Sequence, residues 1–449
     1  MRKLHLVVSS LLFLGCLHVH TAEPDSATVS VDSAHRLFSG GRWGGALRLM
    51  PGRQLAMDRY SRQWIQGKET YTLSAELTHT AVPADGDDYA ADYGYPTLGL
   101  GLAYDFNHGT TLHRYPSPSW GKAQEVDYHT RMGNALTAYF SFARPFVRLR
   151  RFEASYVLRL GLGFYNHYYN RTDAIDNELI GSFASIYFGA ALTASWHLSP
   201  EWAVTAGLEF RHHSNGALAR PNKGENTVGP AIGVVFSPAY RDILDGKESA
   251  PSDRSSASSA SATGRSRAAF PKYWFFDVTL GLGGKTLLED WQLTQFHTDP
   301  GDPDYRKEHF DFHPAFSLQT AFMRRYARRW ATGIGADLFY GTYYNRIRHL
   351  ETAAGRPDEA KRVSPWSVGI ALKHTAYYQR FALAMSVGYY LYRHMGTSAK
   401  EIEKPYYERI GLRYTLPVLN GLYVGASLNA HLTKADFTEL VVGLPLRLR

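Results

Sequence analysis

The sequence holds a single cysteine, Cys16, in 449 residues, so no intramolecular disulfide can brace the fold. Long apolar runs are missing as well. Beyond the N-terminal segment none approaches the ~20 residues that a membrane-crossing helix needs, and any membrane span has to be a barrel strand. No His-Glu-x-x-His, Walker or dinucleotide motif occurs, and no cofactor is implied. Basic blocks interleaved with aromatics are also lacking, which argues against nucleic acid as a partner. What the chain has instead is 40 Gly, 30 Tyr and 23 Phe, a mixture suited to many strands with aromatic girdles. Its formal net charge of +8 fits phosphorylated lipid headgroups, and equally a plain charge excess in solvated loops.

Arg2 and Lys3 precede an apolar core from Leu4 to Leu14, too short to span a membrane, so residues 1–22 read as a signal peptide with cleavage after Ala22. His20 is a poor residue before such a site. The other reading is an imperfect lipoprotein signal, Phe13-Leu14-Gly15-Cys16, with Cys16 acylated.

Period-two alternation predicts strands near 41–50, 69–80, 96–108, 134–146, 151–166, 183–198, 202–215 and 226–237. The run 183–198 is the clearest: Ala184, Ile186, Phe188, Ala190, Leu192, Ala194 and Trp196 oppose Ser185, Tyr187, Gly189, Thr193, Ser195 and His197. Residues 246–267 are rich in Ser and Ala and read as a flexible connector. Eight further runs follow near 272–286, 311–325, 330–345, 365–378, 381–394, 405–416, 420–432 and 437–448. The fold class is therefore all-β, an antiparallel transmembrane barrel of about 16 strands in one ring, with two tandem eight-stranded barrels as the alternative. The chain divides into a signal peptide (1–22), a first barrel region (23–245), the connector (246–267) and a second barrel region (268–449).

Long connections at 109–131 and 167–182 alternate with the short one at 197–201, which makes the long ones extracellular and sets strand 202–215 running outward. Residues 81–95 break the rule, being long and acidic (Asp85, Asp87, Asp88, Asp92) on the periplasmic side. Pro445 sits awkwardly in the last strand.

The stretch 202–226 carries the chemistry. On one strand face it sets Trp202, Val204, Ala206, Leu208 and Phe210, then His212 and Ser214, while His213 falls on the other face with Thr205, Glu209 and Arg211. An imidazole two residues from a hydroxyl on the same face can take the proton from a serine nucleophile. The turn residues Pro221-Asn222-Lys223-Gly224 then bring Glu225 and Asn226 back toward the ring as candidates for its third partner.

His-x-Ser-Asn, a short loop, then Pro-Asn-x-Gly and an acidic or amide residue resembles the outer-membrane lipid A 3-O-deacylases of the PagL type, mainly over residues 96–238. That resemblance implies a serine ester hydrolase in the outer membrane of a Gram-negative bacterium, acting on lipid A, or lipopolysaccharide, in the outer leaflet and releasing a hydroxylated fatty acid. The family's acidic residue falls on Asn226, and the nearest carboxylate is Glu225 one place earlier, so both stay open. Asn215 and the backbone near Gly216 are the oxyanion candidates, and Asn222, matching the family's loop asparagine, braces the third member. Arg220 and Lys223 could meet lipid phosphate or be solvated loop charges. A non-enzymatic porin or scaffold and an outer-membrane phospholipase are the rival readings. His309, Asp311 and His313 share one face and could bind a metal, although lumen-facing polar residues explain them equally well; no metal is assigned.

Overall fold

A computed structural model describes residues 41–115, 121–122, 130–248, 269–403, 405–417, 421–432 and 434–448. The signal-peptide and lipoprotein expectations, and the connector from residue 249 on, lie outside the described residues; 246–248 belong to the helix Ala239–Glu248. Ten strands precede that helix: β1 (Trp43–Gln54), β2 (Glu69–Thr80), β3 (Thr97–Gly109), the two-residue pair β4 (Thr111–Leu112) and β5 (Thr130–Arg131), β6 (Ala135–Arg148), β7 (Phe152–Tyr165), β8 (Ala184–His197), β9 (Trp202–Ser214) and β10 (Glu225–Phe236). Eight follow it: β11 (Tyr273–Thr286), β12 (Phe312–Ala327), β13 (Trp330–Gly341), β14 (Trp366–Tyr378), β15 (Phe381–Arg393), β16 (Tyr406–Thr415), β17 (Tyr423–His431) and β18 (Lys434–Arg447).

These strands close into two eight-stranded antiparallel barrels, which corrects the preference for a single ring. The closing seams are β1 with β10, where Gly45 pairs with Phe236, and β11 with β18, where Leu280 pairs with Val442. Alternation along a strand is the same in either architecture. Only the choice of partner for β10 and β18 tells them apart, and that choice is made between strands far apart in sequence. The final four residues assigned to the run 330–345 are not strand: β13 stops at Gly341, and the helix Tyr344–Ala353 follows. Pro445 is tolerated because β18 is flanked there by β11 alone, β17 beginning at Tyr423 opposite Gly443.

Side-chain parity follows the sequence pattern. On β9, Trp202, Val204 and Leu208 are 51%, 42% and 57% exposed, whereas Thr205, Glu209, Arg211 and His213 are 6%, 5%, 1% and 2% exposed. The inner faces hold dense ion-pair networks. Arg211 reaches Asp105 at 3.1 Å and Glu209 at 3.2 Å, and Arg159 reaches Glu209 at 3.0 Å. In the second barrel Lys373 and the Tyr407 hydroxyl meet Asp337 at 2.6 and 2.8 Å, and Arg409 meets Glu439 at 3.2 Å. Buried charges are costly unless paired, so the members of each network depend on one another. Single cysteines along 203–214 should therefore respond alternately to a lipid-phase quencher, with even-numbered positions quenched; quenching at the odd positions, or no alternation, would contradict an apolar outer face.

The long connections 55–68, 166–183, 287–311 and 342–365 lie at the end of the barrels that carries the 215–224 loop, whereas 81–96 and the helix Ala239–Glu248 that follows β10 lie at the other. Segment 81–96 forms the short helices Pro83–Asp85 and Asp88–Asp92 and contacts the second barrel. Tyr93 packs edge-on against Tyr378 at 5.7 Å and Trp330 at 6.2 Å, and the Tyr89 hydroxyl accepts from Arg325 at 2.9 Å. Of its acidic residues, Asp88 meets Arg328 of the second barrel at 2.5 Å and Asp87 accepts from Gln379 at 2.6 Å, while Asp85 pairs with Arg42 of the first barrel. An acidic segment at this end of the chain is thus an inter-barrel contact, which its own sequence could not reveal.

Candidate active site

At the loop end of β9, β10 runs alongside so that Asn226 stands directly opposite His212. His212 Nδ1 is 2.8 Å from Asn226 Oδ1, and His212 Nε2 is 3.1 Å from Ser214 Oγ. An amide oxygen can only accept, so Nδ1 carries the proton and Nε2 presents its lone pair to the serine hydroxyl. The amide orientation is consistent, since Asn226 Nδ2 donates to Gly224 O at 3.2 Å. Ser214 is buried and His212 half-buried, at the end of the exposed apolar row of β9.

The two candidates for third partner are separated by parity. Glu225 points into the lumen, where its carboxylate accepts from the Tyr165 hydroxyl and lies 3.9 Å from His213 Nδ1. Glu225 thus contacts Tyr165 and His213, whereas the residue in hydrogen-bond contact with His212 Nδ1 is Asn226. His213 itself stacks on Tyr187 with ring centroids 4.9 Å apart and meets Thr137 Oγ1 at 3.1 Å, a lumen residue as its parity required.

The connecting loop is held from two sides. Lys223 N–H and Gly224 N–H donate to Glu178 O and Leu179 O, both at 3.0 Å, so the β7–β8 loop fixes the turn that delivers Asn226. That loop is anchored by an apolar cluster of Trp64, Ile65, Leu112, Met132, Tyr165, Leu179 and Ile180, and by the buried pairing of Arg114 with Asp176 at 3.0 Å and Glu178 at 3.2 Å. Burial raises the Glu178 carboxyl, and Arg114 beside it pulls the other way. Gly224 has φ +78°, and a Cβ there would sit 2.8 Å from His212 Cε1, so a side chain would displace the imidazole.

Asn222 Oδ1 accepts from the Asn215 backbone N–H at 2.9 Å, bracing the segment after Ser214 and not the third partner. The Asn215 side chain is engaged too, donating to Ser182 Oγ at 3.0 Å. Gly216 and Ala217 follow, and among the described residues their backbone N–H groups have no backbone acceptor. Lys223 bonds Asp58 at 3.1 Å over the Tyr60 ring, while Arg220 is buried and donates to Thr286 O at 3.1 Å, so Arg220 is not presented to lipid. Sequence reasoning missed Ser182, Leu179, Thr286 and Thr438 at this site; none lies in the 202–226 stretch, and no local pattern marks them.

His309, Asp311 and His313 do not assemble into a group of close ligand atoms. Among the described residues, Glu403, His431 and Asp436 do. Their carboxylates are already matched by cations, Asp436 by Lys285 and by Arg393 at 3.4 Å, and Glu403 by Arg393 at 2.6 Å, so that group is a salt-bridge network of the second barrel's lumen.

Residues 96–235 match the family model of lipid A 3-O-deacylase (PagL), and residues 274–448 match that of the acyloxyacyl hydrolase C-terminal domain. No curated protein matches the chain in sequence. Among solved structures, the outer membrane enzyme PagL aligns at 9% identity and a TM-score of 0.24, covering 43% of this chain and 99% of its own. A Rh. blastica porin mutant aligns at 10% identity and 0.16, covering 90% and 99%, and an outer membrane channel from Pseudomonas putida F1 at 10% and 0.18, covering 91% and 97%. At such scores none of the three bears on activity. The two family matches are what the chain's kinship rests on: it is similar to the lipid A 3-O-deacylases (PagL) over residues 96–235 and to the acyloxyacyl hydrolase C-terminal domain over residues 274–448.

Proposed function

We propose that the protein is an outer-membrane serine esterase of a Gram-negative bacterium that hydrolyses an O-linked acyl chain of lipid A. The observation that carries this reading is the hydrogen-bonded line Ser214–His212–Asn226 at the end of an apolar outer strand face. Ser214 Oγ attacks the ester carbonyl while His212 Nε2 takes its proton. The imidazolium keeps its Nδ1 proton on Asn226 Oδ1, and the negative charge on the tetrahedral carbonyl oxygen is met by backbone N–H groups near Gly216. Collapse breaks the bond to the sugar oxygen, which leaves with the proton from His212. Water, activated by the same imidazole, then hydrolyses the acyl-serine and frees a hydroxylated fatty acid. The amide supplies orientation without a full negative charge, as in cysteine-histidine-asparagine enzymes. No cofactor enters this scheme.

Substrate access follows from the same geometry. An acyl ester embedded in the outer leaflet can reach Ser214 by lateral diffusion along the exposed row of β9, with no passage through a lumen. The ion-pair networks inside both barrels weigh against the porin reading. Mass spectrometry of lipid A from membranes with and without the protein should show loss of one ester-linked hydroxyacyl group. Loss of a phospholipid acyl chain instead would favour the phospholipase, and unchanged lipids a non-enzymatic barrel.

A further inference from the structure

The segment after Ser214 is held by a barrel to which it does not belong. Gly216 and Ala217 both adopt left-handed backbone conformations, with φ of +62° and +70°. Glycine enters that region freely, but alanine does so only where surrounding contacts compensate. Those contacts come from β11 and β18. Gly216 O accepts from Thr438 Oγ1 at 2.8 Å, and Ala217 O accepts from the Thr286 backbone N–H at 2.9 Å and from its hydroxyl at 3.1 Å. Ala217 is fully buried there. The fit is close: a Cβ added to Gly216 would lie 2.1 Å from Thr438 Oγ1. At this end of the second barrel β17 ends at His431 and β18 starts at Lys434.

A trans peptide is planar, with its C=O and N–H pointing opposite ways. Fixing the Gly216 carbonyl on Thr438 therefore turns the Ala217 N–H away from the second barrel. Fixing the Ala217 carbonyl on Thr286 likewise directs the Leu218 N–H, which reaches Asn215 O at 3.2 Å. We infer that the second barrel is a positioning scaffold for the oxyanion segment: Thr438 and Thr286 hold the Gly216 and Ala217 peptides in the orientation that lets this turn stabilise the oxyanion. This rests on the serine-esterase reading above. It assigns the C-terminal domain a part in the reaction without any contact with substrate, since an oxyanion donor helps only when its direction is fixed before charge develops.

The test uses the full-length protein and purified lipid A in detergent, with assembly checked by heat-modifiable electrophoretic migration. Thr438→Val removes the hydroxyl and leaves a buried carbonyl unpaired, so kcat should fall on the order of tenfold with KM unchanged. Thr438→Ser keeps the donor and should stay near the parent rate. Thr286→Val retains the backbone N–H bond and should lower kcat by a smaller factor; it decides the matter by the same criterion if Thr438→Val does not assemble. A parent-like kcat in an assembled Thr438→Val, a loss confined to KM, or a loss that Thr438→Ser shares would overturn the scaffold role while leaving the esterase standing, provided that Ser214→Ala is inactive. An active Ser214→Ala would remove both.

Discussion

Replacing Ser214 by Ala should cut lipid A deacylation on the order of 10⁴-fold or more, with both barrels still assembled. The side chain lost is a single buried hydroxyl at the end of β9, hydrogen-bonded to His212 Nε2 at 3.1 Å, and the strand's pairing with β8 and β10 is made by backbone. Its removal therefore takes away the proposed nucleophile without disturbing the ladder. His212→Ala should lose a comparable factor, because nucleophile and base act as one unit and their effects are not additive. Lipid A mass spectrometry on membranes carrying each variant measures this directly; a variant that folds and deacylates at near the parent rate would exclude the dyad.

The second large effect concerns the partner of the imidazole. Asn226→Ala removes the acceptor that holds the Nδ1 proton, so the ring is free to turn or to take the other tautomer, in which Nε2 cannot accept from Ser214. A loss on the order of 10²–10³ in kcat is expected, bounded above by the roughly 10⁴ that a wrong tautomer costs in serine enzymes. Asn226→Asp should keep activity, since a carboxylate accepts the same bond and stabilises the imidazolium further. Glu225→Gln should affect the rate little, as Glu225 lies across the strand with Tyr165 and His213. Should Glu225→Gln be the damaging change and Asn226→Ala the mild one, the assignment drawn from the geometry is reversed.

Local residues carried much of this. The strand pattern was readable because a half-buried strand must alternate: Val204 and Leu208 outward, Thr205 and Glu209 inward, with ends displaced by only a few residues. The same parity placed His212 with Ser214 and sent His213 to the lumen. Asn226 shares a face with Val228 and Ile232, a hint in its favour over Glu225 that sequence could not convert into a distance, because the register of β10 against β9 was not yet known.

Closure, the neighbour of His212 Nδ1 and the contacts of the second half with the 215–224 loop were decided only in three dimensions. Each depends on pairing between segments distant in the chain. β10 returns to β1 instead of continuing into β11, the turn at Gly224 is set by backbone groups of the β7–β8 loop, and the peptides after Ser214 rest on Thr286 and Thr438. Hydrophobic period records which way a side chain faces, and motif spacing records which residues are near neighbours on one strand. Neither encodes which strand edge meets which, because backbone donors and acceptors are chemically alike along every edge, and only simultaneous satisfaction of all of them selects the partner.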